Sequence, residues 1–148
     1  MDLRNSIKKL SEYLKIVRNK FNYIPVVVQQ QNSENNSLEA FKANKIRPSQ
    51  KGLLDCQDTS RDADLFLGIT SPYAWELKDY LHYDITKLKS YAKFLEVVQG
   101  RDGESNAILG MYFDGATGYY APLPKYDNIE QLNKVYQLIK SNQESASK

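Results

Sequence analysis

The chain has 148 residues, the length of one domain, so it can bury one hydrophobic core. Apolar residues make up 41% and charged residues 26%, as in an ordinary globular protein, and the formal charge of +2 does not by itself indicate a nucleic-acid surface. Cys56 is the single cysteine, which excludes an internal disulfide and fits the reducing cytoplasm. No apolar run is long enough to span a bilayer, so we expect a cytoplasmic protein without a membrane partner.

The first predicted elements are a helix and a strand. Apolar residues recur every three or four positions over residues 2–21, which predicts a helix with one apolar stripe and one solvated basic face. Residues 23–28 are an unbroken apolar, β-branched run, typical of a strand buried on both faces in a parallel sheet flanked by helices. The polar residues 31–51 then predict a long mobile loop, and loops of this length are usually functional or disordered.

Short helices and strands alternate in the middle of the chain. Residues 53–61 suggest a short helix, and Leu65 to Ile69 a second buried strand that Ser71-Pro72 closes. Residues 73–83 predict a short helix or an irregular excursion. Asp84 is expected to cap a helical turn that ends at Leu88.

A β-hairpin is predicted next. Residues 92–98 and 107–113 are strand-like runs, and the link 99–106 between them is rich in turn formers. Residues 115–120 suggest a further short strand, after which two prolines end regular structure. Apolar residues at helical spacing over 129–139 predict a terminal helix, and the polar end beyond them predicts a disordered tail.

Residues able to run acid–base or nucleophilic chemistry are few. His82 is the only histidine and has no partner motif, so a surface or packing role is the better interpretation. Cys56 lies near Asp55 and Asp58, whose negative charges disfavour a reactive thiolate. The sequence contains no Gly-x-x-x-x-Gly-Lys-Ser/Thr phosphate loop, so this chain alone is not expected to hydrolyse ATP.

Three polar features follow the predicted strands. Gln30 and Gln31 stand at the end of the first strand, where ligands bind in open α/β sheets and where an amide can contact a water and a phosphate. Residues 61–64, Arg-Asp-Ala-Asp, precede the second strand. Arg101 lies at the predicted hairpin tip, from which a rigid arm would carry it off the subunit toward a γ-phosphate held by a neighbour. The alternatives are a polar loop start, solubilising charges and a surface arginine.

Taken in chain order, residues from about Ile7 to Tyr120 resemble the second half of the ATPase core of DnaB-type replicative helicases, a RecA-like fold. Residues 23–31 resemble its strand that ends in a Ser-Gln sensor, and residues 47–48 its Arg-Pro dipeptide. Residues 61–67 resemble its Gln-Asp-Ala-Asp-Val-Val segment. Residues 99–103 are similar to its Lys-x-Arg-x-Gly hairpin, which supplies an arginine finger in trans.

The resemblance implies a partial RecA-like sheet with flanking helices, a β-hairpin and a C-terminal helix. It divides the chain into the C-terminal part of the core, 1–125, and a terminal helix with a disordered tail, 126–148. It makes Gln31 the sensor and Arg101 the arginine finger, with Gln30, Asp102 and Gly103 beside the nucleotide. Single-stranded DNA would contact the loop residues Asn32, Asn35, Asn36, Lys42, Lys45 and Arg47.

The implied partners follow from the missing phosphate loop. ATP and magnesium would bind only with an upstream segment or a partner chain that carries the Walker motifs, in a homo-oligomer or a mixed assembly, and no metal ligand is expected in this chain. The chain is therefore interpreted as a fragment, a split gene product or a degenerate copy. Gln99 replaces the family's hairpin lysine, and Leu54-Asp55 replaces its DNA-contacting Arg-Glu pair, which weakens the transfer of helicase motion.

Two other functions stay open. A non-catalytic interaction module, from a phage or mobile element, would keep the fold without ATP hydrolysis. An unrelated small α/β domain would use the loop 31–51 to bind a ligand.

Overall fold

The computed structural model describes residues 2–30, 47–50, 53, 58–103 and 106–146, which fall into two units. One unit comprises residues 1–68 and 97–106, and the other comprises residues 69–96 and 107–148. The expected division between residues 1–125, which resemble the helicase core, and residues 126–148 stays a prediction.

The described residues form a mixed α/β chain, as predicted. The helices and strands in chain order are α1 (Leu3–Phe21), α2 (Asp58–Asp62), β1 (Leu65–Thr70), β2 (Asp79–Tyr80), β3 (Tyr83–Asp84), α3 (Ile85–Leu88), β4 (Ala92–Gly100), β5 (Ile108–Asp114), β6 (Tyr119–Pro122) and α4 (Ile129–Ala146). Two 3₁₀ turns lie at Pro72–Trp75 and Lys89–Tyr91. None of these helices combines the length and apolar character needed to cross a membrane.

Four strands form one antiparallel sheet in the order β1-β4-β5-β6, and β2 pairs with β3 in a second, smaller sheet. Ala92 lies opposite Tyr112 and Glu96 opposite Ile108, which confirms the predicted hairpin of β4 and β5. The expected parallel sheet is wrong for the described strands. Strands β4, β5 and β6 follow one another through short links, and short links join antiparallel neighbours.

The predicted buried strand over residues 23–28 is also wrong. Residues 22–30 form neither helix nor strand, and Ile24 and Val28 are 91% and 94% exposed. A strand that is apolar on both faces needs sheet neighbours and a covering layer on each side. The described strands begin only at Leu65 and provide no such neighbours, so this segment lies outside the core.

Helix α1 and strand β1 occur where predicted, but both are less buried than their sequences suggest. No residue of α1 is buried. In β1, Leu65 and Ile69 are exposed while Gly68 and Thr70 are buried, so the strand covers one face only. Gly68 is required on the covered face, because a Cβ there would collide with the ring of Pro48.

The hydrophobic core lies in the unit that contains residues 69–96 and 107–148. Its buried members come from β3, α3, β4, β5, the segment after β6, and α4: Tyr83, Ile85, Leu88, Ala92, Phe94, Tyr112, Leu123, Leu132 and Ile139. The Phe94 ring meets the rings of Tyr80 and Tyr83 edge-on, with centroids 4.8 and 5.5 Å away. The Asp84 carboxylate accepts the Lys87 N–H at 3.3 Å, which confirms the predicted N-cap of α3.

Helix α4 extends further than the apolar spacing predicts. It continues through the Ser/Gln-rich end to Ala146. Asn142 Nδ2 donates to Tyr112 Oη at 3.2 Å, and Lys89 Nζ donates to Gln143 Oε1 at 2.8 Å. These two polar contacts hold the late turns of α4 against its own unit, whereas residues 147–148 lie outside the described part.

Candidate functional site

The residue predicted as an arginine finger, Arg101, directly follows the last residue of β4. Its backbone N–H donates to the Asp64 carbonyl at 2.8 Å, which ties the end of β4 to the start of β1. Asp102 and Gly103 come next and are exposed, and open space surrounds the position that a Cβ would take at Gly103. The predicted hairpin residues therefore lie on an accessible turn.

The Arg101 guanidinium is held in place by two oxygen acceptors. Nη1 lies 3.0 Å from Asp64 Oδ1, and Nη2 donates to the Arg61 carbonyl at 3.2 Å. The side chain of Arg101 is 44% exposed. The guanidinium thus lies against the start of β1, whereas the sequence predicted an arm that carries it away from the subunit.

Helix α1 contributes to the same cluster. Arg18 pairs with the Asp64 carboxylate, so this carboxylate is shared by two guanidinium groups. Ser11 Oγ donates to Asp62 Oδ2 at 2.9 Å, and Lys15 Nζ lies 3.6 Å from Asp62 Oδ1. Positions 11, 15 and 18 share one helix face, because residues three and four apart are neighbours on a helix. The basic face of α1 therefore fastens to the acidic pair that precedes β1.

Among the side chains that the structure describes, the cluster holds more positive than negative charge. Ion pairs join three cations, Lys15, Arg18 and Arg101, to the carboxylates of Asp62 and Asp64. Because these side chains are partly exposed, each ion pair contributes only about 0–1 kcal/mol to stability. The chemical consequence concerns recognition, since guanidinium groups with excess positive charge attract phosphate and other anions and bind them through paired N–H donors.

The other predicted site residues are placed only in part. Gln30 is exposed, and Arg47 is partly buried. Six predicted residues lie outside the described part of the chain: Gln31, Asn32, Asn35, Asn36, Lys42 and Lys45. Gln29, one position before the predicted pair, accepts a hydrogen bond from Thr59 Oγ1 at 2.7 Å. This bond ties the end of segment 22–30 to α2.

Residues 47–50 lie close to both β1 and the end of β4. Pro48 is buried, and it packs on Gly68 of β1. Gln50 Nε2 donates to Gln99 Oε1, so the end of β4 binds the segment after Arg47-Pro48. Leu54 and Asp55 lie outside the described residues.

A second polar feature lies where β4 begins and β5 ends. A groove of about 280 Å³ is lined by Ser90, Tyr91, Lys93, Phe113, Asp114, Gly115 and Ala116. Lys93 Nζ donates to Ser71 Oγ at 2.7 Å and lies 5.5 Å from the centroid of the Phe113 ring. Burial lowers the pKa of Lys93 below its ordinary value. The ammonium thus has both a hydroxyl and an aromatic partner within the protein.

Metal-binding side chains do not assemble among the described residues. No three of the described His, Cys, Asp and Glu side chains lie close enough together to hold a metal ion. The His82 ring packs against the Tyr126 ring with centroids 4.8 Å apart, on the protein surface, as its sequence context indicates. Cys56 lies outside the described part.

Fold and cluster together define a mixed α/β chain whose antiparallel sheet presents an arginine cluster where β4 meets β1. No family model, curated protein or solved structure matches this chain. Sequence reasoning missed Arg18 as a site residue. The signal that could have found it is the spacing of Ser11, Lys15 and Arg18 on one helix face, matched by the alternating carboxylates at Asp62 and Asp64.

Proposed function

We propose that this chain is the distal part of a RecA-like ATPase core of the DnaB type, which acts in DNA replication or DNA handling in the cytoplasm. In this proposal Arg101 is an arginine finger for an ATP site that another segment completes. The observation that carries the proposal is the position of Arg101 at the end of β4, where Asp64 and the Arg61 carbonyl orient its guanidinium, in a cluster whose described side chains also include Arg18 and Lys15.

The cluster suggests how Arg101 would act. As a γ-phosphate approaches, the guanidinium exchanges the Asp64 carboxylate for phosphate oxygens and stabilises the charge that develops on them during transfer. Asp64 keeps Arg18 as its partner during this exchange. An unpaired Asp64 carboxylate would oppose the release of Arg101, and the pairing with Arg18 avoids this.

Other parts of the site would come from elsewhere. The sequence has no phosphate loop, so the residues present fit a contact to the terminal phosphate and not a cradle for the whole triphosphate. ATP and magnesium would be held by a segment with Walker motifs. Gln31 as sensor, Gln30, Asp102 and Gly103 beside the nucleotide, and residues 32–47 along single-stranded DNA belong to the same proposal.

The exposed segment 22–30 also supports an incomplete core. Ile24, Val26 and Val28 are the kind of residues that central strands bury, yet they are 91%, 83% and 94% exposed. This exposure is the expected state of a strand whose sheet neighbours belong to another segment.

Reconstitution tests the proposal. The chain is mixed with a DnaB-type core truncated just before its sensor strand, which retains the phosphate loop and the magnesium-binding aspartate, and ATP hydrolysis is measured. We expect hydrolysis only in the mixture, and Arg101→Ala is expected to lower kcat by about 10³–10⁵. Arg101→Lys is expected to lose most of the rate, because lysine keeps the charge but not the paired donors.

Arg4→Ala is the matched control, because it removes an exposed arginine of α1 that takes no part in the cluster. This variant should leave the rate unchanged. Hydrolysis that is insensitive to Arg101 in an active mixture would eliminate the finger.

A non-catalytic interaction module is the second candidate function. The observation that favours it is that α1 buries none of its residues although its sequence is amphipathic, which leaves a surface suited to a partner. Stable binding to the truncated core without any hydrolysis would select this function over the first.

A further inference from the structure

The segment between α1 and α2 exposes an unusually apolar stretch. Ile24, Val26 and Val28 are 91%, 83% and 94% exposed, and the neighbouring Val27 is 55% exposed. Both ends of the stretch are fixed, since Asn22 terminates α1 in a left-handed conformation and Gln29 is bonded to Thr59. A chain with β-branched residues held at both ends loses little further entropy when it pairs as a strand.

Exposed apolar residues also occur on helix α1, and at the end of the helix they meet this segment. The ring of Phe21 stacks on the ring of Tyr23 with centroids 6.0 Å apart. On the helix, Leu10 and Ile16 are 53% and 61% exposed, and Phe21 is 55% exposed. An exposed apolar surface of this extent marks a site of protein association.

The two edges of the segment differ in their hydrogen-bonding groups. In a strand, the backbone groups of successive residues point to opposite edges. The edge formed by Ile24, Val26 and Val28 has every N–H and C=O. The opposite edge lacks a donor, because Pro25 has no N–H.

We propose that a second copy of this chain pairs with the edge formed by Ile24, Val26 and Val28, in an antiparallel two-fold arrangement centred on Val26. Self-complementarity favours a second copy over another occupant. Ile24 of one chain faces Val28 of the partner subunit, and each Val26 faces its own equivalent, so every donor on this edge meets an acceptor.

The side chains and charges suit the same arrangement. The facing residues are all β-branched, a favourable cross-strand combination. No charged residue occurs from Phe21 to Gln30, so the paired segments bring no like charges together. The exposed ring of Phe21, which stacks on the ring of Tyr23, can cover part of the paired strands, and an isolated two-stranded ribbon needs such cover for stability. This pairing concerns the chain on its own and does not depend on the proposed ATPase function; in the reconstituted core, the sheet of the truncated core would take the place of the second copy.

Sedimentation equilibrium of the full chain over a range of concentrations tests the pairing. The wild-type mass should rise with concentration from 17.0 kDa toward twice that value. Val26→Pro removes the central donor from the pairing edge of both copies and should weaken dimerisation by at least about tenfold. Val27→Pro is the matched control: the same change on the opposite edge should alter the dimerisation constant by less than about threefold.

Fold integrity is checked by far-UV circular dichroism at a concentration where the chain is monomeric; neither substitution should change the spectrum there, because both valines lie outside the helices and strands. A wild-type chain that stays monomeric throughout overturns the proposal. Equal weakening by the two prolines overturns it as well, since the pairing edge would then not matter. Open-ended aggregation in place of a defined dimer also contradicts it.

Discussion

Replacing Phe94 by leucine tests where the folding energy of this chain resides. Phe94 is 1% exposed and meets the rings of Tyr80 and Tyr83 edge-on. Leucine keeps an apolar side chain but loses both ring contacts, each worth about 0.5–1.5 kcal/mol. We therefore expect Phe94→Leu to lower the free energy of unfolding by roughly 1–3 kcal/mol, and Phe94→Ala by about 3–5 kcal/mol.

Urea unfolding followed by tryptophan fluorescence measures this effect, because Trp75 is the only tryptophan and lies in the same unit as Phe94. With a slope of about 1–3 kcal/mol per molar urea, the midpoint should fall by roughly 1 M for Phe94→Leu. Val26→Ala is the contrasting change at a concentration where the chain is monomeric, and it should alter stability by less than about 0.5 kcal/mol.

Urea unfolding of Val26→Ala is also followed by far-UV circular dichroism. If the free energy of unfolding falls by more than about 1 kcal/mol, the placement of segment 22–30 outside the core is refuted. A Phe94→Leu variant as stable as wild type would refute the assignment of the core itself.

Two further predictions concern the edges of this core. Burial acts to raise the pKa of Asp84, but hydrogen bonds from Thr86 and Lys87 and the charge of Lys87 outweigh it and lower the pKa below 3.8. The ionised carboxylate therefore stabilises the fold above that value, and this stability is lost as the pH falls through the folded-state pKa. Asp84→Ala should lower the free energy of unfolding by about 1 kcal/mol at neutral pH. It should also flatten the acid side of a plot of urea midpoint against pH. Burial raises the pKa of Tyr83 above 10.0, so its contribution is present below pH 10.0 and is lost as the pH rises through the folded-state pKa. Tyr83→Phe should lower the free energy of unfolding by about 1 kcal/mol at neutral pH, because it removes the 2.9 Å hydrogen bond to the Pro124 carbonyl. As the pH is raised in the same titration, this variant should lose less stability than the wild type.

Local patterns in the sequence predicted local structure well. The helix α1, the hairpin of β4 and β5, and the cap at Asp84 depend on periodicity, turn formers and one side-chain acceptor, all of which lie close together in the chain. The terminal helix was predicted in place but not in length. Its late turns depend on contacts from Asn142 and Gln143 to residues far away in the sequence.

Burial was harder to predict, because it depends on which elements are available as neighbours. Residues 23–28 have the composition of a central strand, but the described part of the chain supplies no sheet around them. Strand β1 has apolar residues on both faces and buries only the face that carries Gly68 and Thr70. Composition indicates what a strand can bury, and tertiary structure decides what it does bury.

The sequence predicted where Arg101 lies along the chain, but it did not predict which side chains surround Arg101 in the folded protein. The turn formers around Arg101 placed it correctly after a strand. Its pairing with Asp64, and the second pairing of Asp64 with Arg18, join residues far apart in sequence, which no single-sequence pattern specifies. The acidic residues before β1 looked like solubilising charges, yet they fasten α1 and the end of β4 to one place.

Single-turnover hydrolysis in the reconstituted assembly tests the central claim, that Arg101 completes an ATP site. The assembly contains this chain and the truncated core with the phosphate loop, and both the rate of phosphate release and the affinity for ATP are measured. The account predicts that Arg101→Lys lowers the rate by orders of magnitude and changes ATP affinity little, because a finger acts mainly on the transition state. Equal single-turnover rates for wild type and Arg101→Lys would contradict it.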